Sequence, residues 1–406
     1  MKILIVHNDY GEYSGEEAVV DRMIADGRRA GYEIETLRRS SKFARESFWG
    51  MAKGFFSGIW SFSGWHMMRE ALRTFRPDIV HIHNLYPFIS PSVLPICKRA
   101  GVPVVMTVHN YRLICPTGLF LRDGKPCENC LRNGNERDCV RYNCEHNRFR
   151  SLGYALRNMV ARRTRAYLDN VDYFCCLTDF QRRKLVAAGF DSSRIRVMPN
   201  YVKYEKAEES TPETEAWGSG YVCYVGRMSH EKGFDMYVEV ARRHPEIPFR
   251  MAGRLRDDIR IDIPPNLQLC GQLSESRLSL FYEKAAFLVI PSRCYEGFPM
   301  ILLEASTHGR CCVVPNHGPF PELITDPENG NVGGLLFTPL DTDDLERKIT
   351  LLWNDHVLNK QLSAQASEIC RKRFAKHKLN QEWDVFLNSV AKRQTANHDI
   401  SAVTTP

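Results

Sequence analysis

The chain has 406 residues, 43% apolar and 25% charged, proportions that suit folded domains and exclude a wholly disordered or collagenous chain. At roughly 100–200 residues per domain, this length predicts two domains. The net charge of +7 is uneven: residues 1–200 hold 31 Lys and Arg against 20 Asp and Glu, whereas residues 201–406 hold 24 against 28. Only the first half is therefore set to face an anionic surface or substrate.

The opening segment lacks the basic, apolar and small-residue regions of an export signal, and no apolar run reaches the ~18 residues of a membrane span. The expectation is a cytoplasmic protein whose 14 cysteines are reduced thiols or metal ligands.

In chain order, Ile3–His7, Ile79–His83, Val102–Val108, Tyr173–Leu177 and Ile195–Met198 are short, continuous apolar runs. They read as buried parallel strands. Helical patterns such as Glu16–Gly31 and Ser151–Asp169 lie between them, which predicts a doubly wound α/β domain over residues 1–200. Within it, Arg38–Arg76 interleaves aromatic and basic residues, among them Phe43, Phe48, Trp49, Phe56, Trp60, Phe62, Trp65, Lys42, Arg45, Lys53, Arg69 and Arg73. That mixture suits helices on the first sheet with a remainder that docks at an anionic bilayer interface. The pair His81-x-His83 shares one face of a strand and is expected to divide between core packing and cleft lining.

A cysteine-rich insertion follows at about 115–146. Cys127, Cys130, Cys139 and Cys144 offer four thiolates around a Gly-rich loop. Structural zinc and reduced loop thiols are the two readings of that cluster.

The acidic, polar stretch Lys203–Ser219 reads as a linker. The alternation then restarts over 201–375, with strands at Tyr221–Val225, Phe249–Ala252, Leu267–Leu269, Phe287–Ile290, Cys311–Val314 and Gly334–Phe337, and helices at Phe234–Arg243 and Ser274–Ala285. Asp343–Trp353 and Leu358–Ala391 are the closing helical patterns, with 376–394 expected to pack back on the first domain and 395–406 to be disordered. Two such domains place the ligand-binding ends of their sheets on either side of a cleft.

Two segments carry the chemistry. In Val225-Gly226-Arg227-Met228-Ser229-His230-Glu231-Lys232-Gly233, a strand ends and a helix opens. Glycines admit a ligand to the backbone, and Arg227 and Lys232 bring two cations to a helix N-terminus, where amides already favour an anion. A diphosphate suits that arrangement. In Pro291-Ser292-Arg293-Cys294-Tyr295-Glu296-Gly297-Phe298-Pro299-Met300-Ile301-Leu302-Leu303-Glu304, a loop and a helix set two carboxylates at the same sheet edge. Glu296 and Glu304 can accept from sugar and ribose hydroxyls, while the Gly297–Ile301 amides, including those of Phe298 and Met300, can face phosphate oxygens. Asp341-x-Asp343 precedes a helix and reads as an N-cap with first-turn acids rather than as a metal ligand pair.

Together these two segments resemble glycosyltransferase family 4, whose signatures are a Gly-Arg…Glu-Lys-Gly phosphate loop and two Glu residues with seven between them. The resemblance extends to Arg76-Pro77-Asp78-Ile79-Val80-His81-Ile82-His83-Asn84, to Thr107-Val108-His109-Asn110-Tyr111 and to Met198-Pro199-Asn200. It implies a GT-B fold and retaining, metal-independent transfer of a hexose from a nucleotide sugar, a UDP- or GDP-sugar, to a saccharide or lipid-linked saccharide in cell-surface polysaccharide or glycolipid synthesis. It places Arg227 and Lys232 on the diphosphate, Glu304 on the ribose, and Glu296 and His109 at the donor sugar. Gly15 falls in the family's glycine loop, although Ser14-Gly15 replaces the usual glycine pair. Gly226, Gly253, the Gly271–Leu273 stretch and Asn84 complete the implied substrate-binding set. A protein that binds sugar nucleotides without transfer is the alternative. Nucleic acid is not an expected partner, because no recognition helix or stacking motif accompanies the basic half.

Overall fold

A computed structural model describes residues 1–10, 14–42, 48–202, 220–256 and 259–403. The expected linker at 203–219 lies outside these ranges, as do Phe43 and Arg45 and the side chains of Phe48 and Trp49. The chain divides into two units. One comprises Met1–Leu119, Glu128–Pro199 and Asn380–Pro406; the other comprises Phe120–Cys127 and Asn200–Leu379.

The first unit holds a parallel sheet of β1 (Lys2–Asp9), β2 (Glu33–Ser40), β3 (Ile79–Asn84), β4 (Val104–Val108), β7 (Tyr173–Cys176) and β8 (Ile195–Val197), in the order β2-β1-β3-β4-β7-β8. Its central strands β3 and β4 are buried at every residue, as parallel strands covered on both faces are. The edge strand β2 was not foreseen. Its sequence EIETLRRS alternates, and only Leu37 is buried. The helix Gly15–Arg29 starts on a capping box in which Ser14 accepts from the Glu17 amide and Glu17 accepts from the Ser14 amide.

The last helix, Lys376–Val403, presents Trp383, Leu387 and Val390 at i, i+4 and i+7 to Ile3, Ile5, Ile79, Val105 and Cys175. Each such burial contributes roughly 1.5–3 kcal/mol. Tyr32 Oη fixes the rotation of the helix by donating to Asp384 Oδ1 at 2.8 Å. Residues 395–403, expected to be disordered, continue this helix. Once a packed segment nucleates a helix, each added residue gains one hydrogen bond at low cost. The single pattern expected over 358–391 is broken at Phe374–Ala375, where Ala375 bridges to Val202.

The second unit repeats the architecture with β9 (Tyr221–Val225), β10 (Phe249–Ala252), β11 (Leu267–Leu269), β12 (Ala285–Val289), β13 (Cys312–Pro315) and β14 (Gly334–Phe337), in the order β11-β10-β9-β12-β13-β14. Its core gathers Tyr237, Phe249, Met251, Phe287 and Val313. The hairpin β5 (Leu121–Arg122) and β6 (Lys125–Pro126) groups with this unit although the sequence suggested a first-domain insertion. Phe120, 1% exposed, explains why: its ring meets Tyr295 edge-on at 5.9 Å. In each sheet the strand order reverses once, between β1 and β3 and between β9 and β12. Those are the points where open α/β sheets leave a crevice at the carboxyl ends of their strands.

Candidate active site

The crevice of the second unit is built by the turns after β9 and β12. Gly233 adopts φ +66°, and a Cβ there would stand 1.9 Å from the Pro291 carbonyl oxygen. Only glycine lets the two turns close on each other. Gly253 is held likewise: a Cβ would stand 1.9 Å from Gly226 O, and its own amide donates to Gly271 O at 2.7 Å. Arg293 ties the turns from the other side, donating to both Asp235 carboxylate oxygens at 2.5 and 2.6 Å and to His230 O at 2.9 Å.

Within this frame Lys232 Nζ donates to both oxygens of Glu296, at 2.7 and 2.9 Å, and Ser292 Oγ donates to Glu296 Oε1 at 2.5 Å. Burial raises the carboxyl pKa, but Lys232 outweighs it and holds Glu296 below the ordinary range. Burial pulls the ammonium down, and Glu296 more than restores it, so Lys232 sits above its usual value. Arg227 is exposed, and its guanidinium meets a neighbouring carboxylate, Glu231 Oε1, at 3.3 Å. Glu304 lies in the helix Met300–Thr307 and accepts from Tyr282 Oη at 3.1 Å. Met300 and Ile301 are the first two residues of that helix, whose amide end is open to an anion.

Of these residues, Lys232 and Glu296 are in direct contact, Arg227 meets Glu231 and Glu304 meets Tyr282, while Gly226, Gly253, Gly297 and Leu273 lie outside the helices and strands of the same unit. Phe298 does not line the crevice with its side chain. It is buried and packs edge-on to Phe374 at 5.6 Å. Ser292, Tyr282, Asp235 and Arg293 were not singled out from the sequence. Each is one polar residue in a turn or helix, and only its partner reveals its role. Asp341 is a helix cap, accepting from the Asp344 amide at 2.9 Å.

The crevice of the first unit gathers histidines. His83 Nδ1 and His109 Nε2 are 2.8 Å apart, and His81 Nε2 lies 2.8 Å from Thr107 Oγ1. His81 also packs on Trp383 at 5.3 Å, and both His81 and His83 are buried. Burial lowers all four imidazoles, His7, His81, His83 and His109, bringing His81 and His109 to about 3. All are neutral at pH 7. Asn84 is occupied internally: it donates to Asn8 O at 2.7 Å and accepts from the Tyr86 amide at 3.1 Å. Gly15 is exposed at the start of its helix, with open space where a Cβ would stand.

Among the described residues, one group of three or more His, Cys, Asp or Glu has ligand atoms within 4.8 Å of one another: His7, Asp9 and Glu17. Two of these are already engaged. Arg38 donates to Asp9 Oδ1 at 2.8 and 3.1 Å, and Glu17 caps its helix. The thiols of the cysteine-rich loop do not form such a group. Cys139 and Cys144 are neighbours, and a hydrogen bond between them, with burial, raises the Cys139 thiol. Cys130 and Cys115 also act on Cys139, while Cys127 ends the hairpin grouped with the second unit.

Two family models match the chain: Glycosyltransferase Family 4 over residues 13–206, and Glycosyl transferases group 1 over residues 205–369. The chain is 24% identical over 288 residues to an uncharacterized 42.6 kDa protein in the cps region of Klebsiella pneumoniae, covering 68% of each. It is 24% identical over 327 residues to an alpha-D-kanosaminyltransferase of Streptomyces kanamyceticus, covering 76% of each. Among solved structures it is similar to sucrose-phosphate synthase from Thermosynechococcus elongatus, with a TM-score of 0.71 at 15% identity over 96% of this chain and 98% of that one. It is also similar to Anabaena HepE in complex with UDP and glucose, with a TM-score of 0.65 at 14% identity over 96% and 100%. At these identities the solved structures speak for the fold.

Proposed function

The chain belongs to the family 4 glycosyltransferases of GT-B fold, and from that premise we propose that it moves a hexose from a UDP- or GDP-sugar to a saccharide or lipid-linked saccharide, with retention of configuration. The observation that carries this reading is the Lys232–Glu296 pair set beside Arg227 at the strand-order reversal of the second sheet. Arg227 and Lys232 meet the diphosphate and the charge that grows on it as it departs. Glu296 accepts from donor-sugar hydroxyls, and Glu304, steadied by Tyr282, accepts from the ribose. The family resemblance assigns His109 to the sugar and the leaving phosphate. In the transfer, the bond from C1 to the phosphate oxygen breaks while the acceptor oxygen bonds to C1 on the same face. The acceptor proton passes to the departing phosphate. The two side-chain cations serve the diphosphate, so the reading requires no metal cofactor.

The similar structure of HepE, in complex with UDP and glucose, supports a nucleotide-sugar donor. Differential scanning fluorimetry with UDP, GDP and ADP tests the reading, because a ligand at 100 times its Kd stabilises by about 2.7 kcal/mol. Turnover of the matching nucleotide sugar then separates a transferase from a binding protein. NMR of the product's anomeric proton reads retention.

The reading places the enzyme at the cytoplasmic face of an anionic membrane. No helix among the described residues is long and apolar enough to cross a membrane. The first unit instead exposes Phe56, Trp60 and Phe62, with Trp60 and Phe62 rings 6.2 Å apart, beside exposed Lys53, Arg69 and Arg73. The cysteine-rich loop enters as a structural element. A zinc ion there would draw Cys130 and a fourth thiol towards the neighbours Cys139 and Cys144.

A further inference from the structure

The first unit encloses a cavity of about 80 Å³ lined in part by Tyr86, Arg112 and Tyr167. It has room for several waters, each of which needs about 10–15 Å³. Its walls hold more donors than acceptors. Tyr86 and Tyr167, each 6% exposed, share one hydrogen bond between their hydroxyls, at 3.2 Å. Whichever phenol donates, the other keeps an O–H with no acceptor among the described residues. Arg112 is anchored through its backbone: its amide donates to Asn110 Oδ1 at 3.0 Å, and its carbonyl accepts from Asn158 Nδ2 at 2.6 Å. Its guanidinium donates to Tyr10 Oη at 3.0 Å, and that phenol donates in turn to Glu16 at 2.7 Å. The other guanidinium hydrogens of Arg112 meet no acceptor among the described residues.

Against the Tyr86 ring lies a second guanidinium. Arg157 is 8% exposed and sits 4.3 Å from the Tyr86 ring centre and 4.0 Å from that of Tyr154. It donates to Pro116 O at 2.8 Å and to Asn158 Oδ1 at 3.4 Å, and no carboxylate among the described residues bonds to it. Burial and the like charge of Arg112 both oppose its ionisation. Exposed Arg162 and Arg165 also line the cavity, and its acidic liner, Glu136, is held by Arg162 at 2.9 and 3.0 Å. Buried cations without a counter-charge are costly, so this cluster lacks an anion.

We propose that the cavity is an oxyanion site of the first unit that takes the phosphate group of a phosphate ester. Arg112 is its main ligand, the spare phenol O–H a further donor, and Arg157 supplies charge from behind Tyr86. A planar guanidinium pairs with two phosphate oxygens at once, and a tetrahedral phosphate has further oxygens for the phenol, whereas a carboxylate does not. The proposal rests on no part of the transferase reading.

Calorimetry on the full chain tests it with inorganic phosphate for the shared chemistry, glucose 1-phosphate for a sugar-borne group and farnesyl phosphate for a lipid-borne one. Inorganic phosphate and at least one of the esters should bind. Arg112→Gln should weaken that binding about tenfold or more, and Lys232→Ala, which alters the second unit, should change it by less than about twofold. Hydrogen–deuterium exchange on the wild type locates the site without any variant. Phosphate should slow exchange around residues 112–116 and 157–168 and leave 226–233 unchanged. Absence of phosphate binding, an Arg112→Gln affinity equal to wild type, or protection confined to 226–233 overturns the proposal.

Discussion

Lys232 Nζ lies 2.7 and 2.9 Å from the two oxygens of Glu296, so two groups proposed to meet opposite ends of a nucleotide sugar neutralise each other. A diphosphate must share the ammonium with the carboxylate. Lys232→Ala is therefore expected to weaken UDP or GDP by about tenfold or more, since a charge-assisted contact is worth roughly 1.5–3 kcal/mol, and to leave uridine or guanosine nearly unchanged. Glu296→Gln should act in the opposite direction on binding. It frees Lys232 and removes a negative charge from the site, so nucleoside diphosphate should bind several-fold tighter while turnover collapses. Calorimetry with nucleoside and diphosphate measures both. Equal losses for nucleoside and diphosphate in Lys232→Ala would refute the assignment.

The buried histidines make stability pH-dependent in a direction fixed by their shifts. Burial lowers His7, His81, His83 and His109 below the unfolded value of about 6.5. As pH falls below about 6.5, the unfolded chain takes up protons that the folded unit refuses, so the folded state loses stability. Each histidine kept neutral contributes a slope of up to about 1.4 kcal/mol per pH unit. Above pH 7 their contribution is complete and flat. Urea midpoints should therefore be constant from pH 7 to 8 and drop steeply from pH 6.5 to 5. His81→Gln, which retains a partner for Thr107, should shallow that slope by about one proton. A slope identical to wild type would show that His81 titrates normally.

Much of the fold is legible in the sequence because parallel strands covered on both faces must be continuously apolar. Ile3–His7, Ile79–His83 and Tyr221–Val225 announce themselves for that reason. Edge strand β2 does not, since one face meets water and its alternation reads as a polar segment. The glycines of the proposed phosphate loop are legible because close approach of two turns admits nothing larger, as Gly233 against Pro291 shows. Side-chain partners are not legible. Asn84 lies in a stretch that resembles the family, yet its side chain is bonded to Asn8 and Tyr86, and the Phe298 ring packs on Phe374 although only its amide was expected to face a ligand. The His83–His109 bond depends on the stagger of two adjacent strands, which no local pattern encodes.

Zinc content decides the role of the cysteine-rich loop. A structural ion held by Cys127, Cys130, Cys139 and Cys144 predicts about one equivalent of zinc in purified full-length protein. It also predicts release with thiol-reactive mercurial and a lower Tm after chelation. Cys139→Ser should abolish the metal and leave UDP or GDP affinity unchanged, because the turns proposed to bind the nucleotide lie in the second unit. Protein free of zinc with full stability would make the loop a cluster of reduced thiols.

Membrane docking follows from where the aromatic residues of the first unit end up. Phe55 is turned inward, close against Gly153 of the neighbouring helix, whereas Phe56, Trp60 and Phe62 are 69%, 54% and 69% exposed. Aromatic side chains left in water beside exposed Lys53, Arg69 and Arg73 match an interface with an apolar interior and anionic head groups. The full chain should therefore co-sediment with phosphatidylglycerol vesicles and not with phosphatidylcholine vesicles. Each basic residue near the surface contributes about 1 kcal/mol, and screening at high salt should remove most of the binding. The variant Phe56→Ser, Trp60→Ser, Phe62→Ser keeps every charge and loses the insertable rings. It should bind at least about tenfold more weakly at low salt, with thermal stability near wild type because these side chains are exposed. Co-sedimentation that ignores lipid charge, or a triple variant that binds as well as wild type, would leave a soluble saccharide as the acceptor and this surface without a membrane role.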